Sequence, residues 1–248
     1  MTSQRTRHDF FYFQIVTRYY LNFIKIEKEF FSQENRIKMN NMKIMLSEYD
    51  GIQFTKEELD EINEKLGIKD FLLKFFQLRS FGTISVVFSA LCLESLINDY
   101  CVFKRSSNYL SNYVDKLDTV SKWKIFPELF TGKPFSNDGK AFELLKGLYS
   151  FRNNLVHPKS KVVGPMENLE DEKNPLTQYL VKFNNEVKLS LLTIKEATHE
   201  LFIIDSSFTY LKVYEWLWTG DVEKLKNLSD IDTFYLSLVK DIRFPEKE

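Results

Sequence analysis

"GTISVVFSALCLESLINDYCVF" occupies residues 82–103 and is the strongest candidate in the chain for a membrane span. Its reading decides the fold. Glu94, Asn98 and Asp99 stand in its C-terminal half, and three such groups make insertion into lipid costly. The run therefore reads as the core helix of a soluble protein, spanning about 83–104. On it Glu94 and Asn98 are one turn apart, among Val87, Ala90, Leu91, Ile97 and Cys101. A glutamate in such surroundings needs a donor.

Outward from this helix, periodicity points to more helices. Phe13, Val16, Tyr20, Phe23 and Ile24 recur at helical spacing within a helix expected over 9–46. "TKEELDEINEKLG" opens on a capping box of Thr55 with Glu58, and Gly67 supplies a stop. A short helix is expected over 69–79. Residues 108–135 read as a short helix followed by a loop through Pro127, Gly132 and Pro134. Further helices are expected over 139–156 and 177–218, the second with a break left open, joined by an exposed loop over 159–176, with short helices after 219. No segment sustains period-2 alternation. With 8 Gly and 6 Pro in 248 residues, turns are too few for a sandwich or barrel. The expected fold is an all-α bundle: an N-terminal helical extension over 1–79, the bundle over 80–218, and C-terminal helices over 219–248.

Composition narrows function by exclusion. At 44% hydrophobic and 28% charged, the chain has the make-up of a globular protein. Cys92 and Cys101 lie nine residues apart on one expected rod, so they cannot bridge each other, and a reducing, cytoplasmic setting is expected. "MTSQRTRHDFFYF" lacks a clean apolar region and cleavage site, so no secretory signal is expected. His8, His157 and His199 are far apart and no His/Cys group has metal-ligand spacing. No Gly-rich phosphate loop or nucleophile elbow occurs. Neither metal nor cofactor is expected. Net charge is −1, but residues 104–161 hold 11 Lys and Arg against 5 Asp and Glu, a local basic excess.

The basic third contains "LYSFRNNLVHPKSK", residues 148–161. On a helix, Arg152 falls at the centre of an arc that holds Leu145, Leu148, Tyr149, Leu155 and Val156. A guanidinium aimed at a core is expensive unless a carboxylate or phosphate meets it. Glu94 is the expected partner, by a bidentate bond. Pro158 disfavours helix at the residue before it, so the helix should end near His157. Asn153, one turn earlier, is expected to hydrogen-bond the imidazole. Arg152 and His157 lie about 140° apart on an ideal rod, so they converge more easily across a two-fold dimer than within one copy.

Arginine, four residues, then histidine, with asparagine after the arginine, resembles the motif of the HEPN superfamily (higher eukaryote and prokaryote nucleotide-binding domains). Here it is "RNNLVH", Arg152 to His157. "FSALCLESLINDY" is similar to the family's early helix with an embedded glutamate, and "SKWKIFPELFTGKPF" with "FELLKGLYSFRNNLVHPKSK" looks like a common bacterial HEPN-like stretch. The resemblance covers roughly 80–215. It implies a HEPN-type bundle and a metal-independent endoribonuclease working as a homodimer, as in toxins and antiviral effectors, with RNA as substrate and a protein antitoxin or regulator as a further partner. His157 would act as general acid or base at a ribose 2′-OH, Arg152 would stabilise charge on the phosphate, and Asn153 would orient the site, with Glu94 and Asn98 in support. A related subgroup carries a modified tyrosine two residues after the histidine. Lys159 stands there, so that regulation is not expected. Two alternatives stay open: a non-catalytic HEPN-like module binding protein or nucleotide, and an unrelated scaffold in which Arg152 is structural.

Overall fold

A computed structural model describes residues 8–32, 55–65, 67–136, 139–157 and 175–219. The expected loop over 159–176 lies outside the described residues up to 174, as do the expected C-terminal helices beyond 219. Every regular element among the described residues is helical, so the fold is an all-α bundle. The helices are α1 (His8–Phe30), α2 (Lys56–Lys65), α3 (Ile68–Lys104), α4 (Ser107–Tyr109, continued by a π turn over Leu110–Val114), α5 (Thr119–Thr131), α6 (Lys140–Val156), α7 (Pro175–Ile204) and α8 (Leu211–Thr219).

The capping box forms as read. The Thr55 N–H donates to Glu58 Oε2 at 2.8 Å, and the Glu58 N–H donates to Thr55 Oγ1 at 3.3 Å. Gly67 adopts a left-handed φ of 66° where α2 gives way to α3, a conformation costly for residues with a Cβ. The helix expected over 9–46 ends at Phe30; the part of that stretch beyond 32 lies outside the described residues.

α3 corrects the expectation of two helices over 69–79 and 83–104. It is one rod of 37 residues, about 55 Å long at 1.5 Å per residue, and it runs through the boundary expected at 79/80. Gly82 lies inside it. A Cβ built there would come within 2.6 Å of the Phe183 ring and 2.9 Å of Val187 Cγ2. Gly82 is thus where α7 presses against α3, and packing keeps the helix whole. Half of the apolar window of α3 is buried inside the protein. Its flanks receive α1, α5, α6 and α7. The α1 stripe of Phe13, Val16, Tyr20 and Phe23 is buried in the same core, and Phe13 meets Tyr214 and Trp218 of α8 edge-on.

α5 is the second correction, because a loop was expected there. Asp118 caps it, accepting from the Ser121 N–H at 3.0 Å, and Gly132 closes it at φ 73°. Pro127 sits inside and removes a helical donor, a defect of about 3 kcal/mol in an exposed helix. Burial of Trp123, Phe126 and Pro127 itself offsets it. The helix expected over 177–218 is broken at Asp205 into α7 and α8. That carboxylate caps the corner. Its Oδ2 accepts from Tyr100 (2.8 Å) and Lys104, and its Oδ1 accepts from the Ser207 N–H (3.1 Å) and hydroxyl (2.6 Å). The corner is thereby tied to the end of α3.

Two stability measurements follow. In a helix interior Gly→Ala normally stabilises by about 0.5–1 kcal/mol. Gly82→Ala should instead destabilise by about 2 kcal/mol in urea melts, because its methyl group overpacks the α3–α7 contact. Burial raises the Asp205 pKa, but the hydrogen bonds from Lys104, Ser207 and Tyr100 outweigh it and hold the carboxyl below its usual 3.8. A depressed folded pKa stabilises above the unfolded value, and that stability drains as pH falls below about 4 towards the folded pKa. Asp205→Asn should cost on the order of 2 kcal/mol at neutral pH and flatten the acid limb of a Tm-against-pH curve.

Candidate functional site

α6 carries the motif, and its burial changes along its length. Leu145 is 0% and Leu148 4% exposed, whereas Val156 is 43% exposed. Arg152 lies between, partly buried, where the apolar face runs out onto the surface. The helix ends at His157 as the following proline requires. His157 is the C-cap, with φ −121° and ψ 66°, and its N–H donates to the Asn153 carbonyl at 2.9 Å. Asn153 and His157 are exposed.

Two expected pairings are not what forms. Arg152 makes no ion pair with Glu94 among the described residues; its Nη1 donates to Asn153 Oδ1 at 3.0 Å. Asn153 therefore holds the guanidinium, not the imidazole. The physical reason is the helix end: His157 has left the helical path, while Arg152 and Asn153 are neighbours on the last intact turn. Glu94 is partly exposed, not buried. Asn153 meets both motif residues, the Arg152 guanidinium through its side chain and the His157 N–H through its carbonyl.

α3, α5 and α6 meet beneath Arg152. The Tyr149 hydroxyl donates to the Ala90 carbonyl of α3 at 2.7 Å, and Thr119 of α5 lies beside the phenol. Burial pushes the Tyr149 pKa well above the usual range. Glu94 adds to that rise, whereas Thr119 and Arg152 oppose it. Both charges therefore act on one phenol, with opposite sign.

Lys122 is the feature the sequence reading missed. It is 3% exposed, and its Nζ donates to Asn98 Oδ1 at 3.1 Å. Asn98 is thus held by a buried lysine of α5. The signal was present: Asp118 as N-cap sets a register in which Lys122 shares a face with Thr119 and Phe126. Reading 108–135 as a loop concealed it. The neighbouring Trp123 donates its indole N–H to the Leu93 carbonyl at 3.2 Å, fastening α5 to α3. Among the described residues no group of His, Cys, Asp and Glu could hold a metal ion.

The assembled chemistry on α6 is a partly buried guanidinium, an exposed imidazole at the same helix end and a half-buried phenol one turn before the guanidinium, with a buried lysine held by Asn98 elsewhere along α3. Such a set can hold an anion, and the imidazole can exchange protons with it. No family model, curated protein or solved structure matches the chain.

A double-mutant cycle measures the buried pair. Asn98→Leu strands the Lys122 ammonium and should cost on the order of 3 kcal/mol. Adding Lys122→Met, which removes the charge at similar volume, should recover most of that loss in chemical denaturation.

Proposed function

We propose that the chain is a HEPN-type, metal-independent endoribonuclease that acts as a homodimer. The observation that carries this reading is Arg152: a partly buried guanidinium with no carboxylate partner among the described residues, at the end of a helix that also exposes His157. Arg152 would stabilise charge on the scissile phosphate. His157 would take or deliver the proton of a ribose 2′-OH, and Asn153 would orient the guanidinium it already binds. Lys122 lies behind the site and adds positive charge to the basic third of the chain.

On an ideal rod Arg152 and His157 point about 140° apart, so the full set would come from two facing copies of α6. Activity as a toxin or defence effector, held in check by a protein partner, fits such an enzyme. Cys92 and Cys101 are buried and form no disulfide with each other, which suits a reducing cytoplasm. The same separation of Arg152 from His157 favours the second reading, a non-catalytic module that binds a nucleotide or protein, wherever the chain stays monomeric.

Incubation of purified protein with mixed RNAs in EDTA decides between them. RNA should be cut to cyclic-phosphate or 3′-phosphate ends while DNA of the same sequence survives. Arg152→Ala and His157→Ala should each slow cleavage by roughly 10²-fold or more with unchanged melting curves. Light scattering should report a dimer at micromolar concentration. A metal requirement, equal cutting of DNA or a fully active His157→Ala protein rules the mechanism out. An inactive, monomeric wild type leaves the binding module in its place.

A further inference from the structure

Ser107–Leu110 reads "SNYL" and Ser111–Val114 reads "SNYV", and the two together form α4 and its π turn. A period of four sets like residues side by side on a helix. Leu110 and Val114 pack into the core. Tyr109 packs partly against it, and the Tyr113 ring leans on Tyr109 with centroids 5.5 Å apart. Tyr113 is 75% exposed, more than any other large hydrophobic side chain among the described residues. Asn108 and Asn112, next to the tyrosines in the chain, are exposed as well. Such a surface offers a flat face for stacking and amides for hydrogen bonds, which is what an unpaired nucleobase can use. Its charge suits the same ligand. Arg105, just before α4, is exposed and lies over the Phe130 ring at 5.7 Å. Lys116, just after the π turn, is exposed too. Neither makes an ion pair among the described residues. Asp118 is taken up by the α5 cap with Ser121, which leaves Asp115 against these two cations. α5 then starts at Thr119 and touches α6. Trp123 fastens α5 to α3 at Leu93, and Tyr149 fastens α6 to α3 at Ala90, one turn earlier. α4 thus leads into the helix packed beside the one that carries Arg152.

We infer that Tyr113, backed by Tyr109 and flanked by Asn108, Asn112, Arg105 and Lys116, is a stacking platform for a base of single-stranded RNA. The inference deepens the proposed function, adding a second contact for the strand whose phosphate Arg152 holds, and it rests on that reading for the choice of RNA. Tyr109 supports the exposed ring from behind, so that it meets a base already oriented. Arg105 and Lys116 take phosphates of the same strand, Arg105 as a guanidinium already placed by its contact with Phe130. Stacking tolerates any sequence, because every base has a flat face. The platform therefore adds affinity and holds the strand without selecting its bases. A duplex keeps its base faces stacked on one another and cannot use it.

The test measures binding of a short single-stranded 2′-O-methyl RNA, which lacks the hydroxyl needed for cleavage, by fluorescence anisotropy in EDTA. An oligomer of the same length with abasic sugars is the backbone control. Tyr113→Ala should weaken RNA binding about tenfold, the worth of one stacked base, and leave the abasic oligomer unaffected. Tyr113→Phe keeps the ring and should bind RNA as the wild type does. Arg105→Ala should weaken both oligomers alike and lower the salt dependence by about one phosphate. Equal loss on both oligomers in Tyr113→Ala, unchanged affinity for RNA, a Tyr113→Phe protein as weak as Tyr113→Ala, or an unchanged salt dependence in Arg105→Ala each overturn the inference. Cleavage of unmodified RNA, followed separately on the same proteins, tells this failure from that of the nuclease. Tyr113-dependent binding without cleavage leaves the platform standing and removes the nuclease. Cleavage with an affinity indifferent to Tyr113 does the reverse. A wild type that binds no RNA overturns both, and the exposed tyrosines then belong to a protein interface.

Discussion

The burial of α3 is the constraint on which the rest depends. A helix of 37 residues with apolar side chains over most of its surface cannot stand in water. α1, α5, α6 and α7 take up its flanks, and each does so with aromatic or branched side chains. Close contact has one strict condition, met at Gly82, where the Phe183 ring occupies the space a Cβ would need. Because α3 passes through the whole bundle, a polar residue on it is placed by what packs beside it. Ser89 turns its hydroxyl back to the Ser85 carbonyl. Asn98 finds a lysine from α5.

The polar groups beneath Arg152 follow from this crowding. Three helices converge there, and each contributes groups that cannot reach bulk water. Tyr149 with the Ala90 carbonyl, and Lys122 with Asn98, satisfy each other across helix boundaries. Hydrogen bonds of this kind specify register more than they add net stability, since an unmet partner in low dielectric is far costlier than a met one is favourable. Arg152 sits at the rim, where the network ends and solvent begins. A rigid network with a charged group at its edge is the arrangement a preorganised anion site requires.

A second polar cluster does different work. Asp205 gathers Tyr100, Lys104 and Ser207 at the turn between α7 and α8. There every oxygen of the carboxylate has a donor from within the chain, so the cluster is closed and structural. The contrast with Arg152, whose hydrogen-bond partner among the described residues is the neutral Asn153, separates a sealed ionic corner from a guanidinium with capacity to spare.

The sequence by itself determined the helical class, the Thr55–Glu58 cap, the turn at Gly67, the stripe on α1 and the end of α6 at His157. These depend on local periodicity and backbone chemistry, which a few neighbouring residues set. It also placed Arg152 at the centre of an apolar arc and Glu94 within an apolar helix. Only the tertiary structure decided that the two form no ion pair among the described residues, because Glu94 reaches solvent and Arg152 turns instead to Asn153 Oδ1. Only the tertiary structure kept α3 whole through Gly82 and α5 helical through Pro127. In both, packing against partners distant in sequence outweighs a local signal to break. The buried Lys122 was hidden for the same reason: its register becomes visible once α5 is known to be a helix, and α5 is a helix because α3 lies beside it.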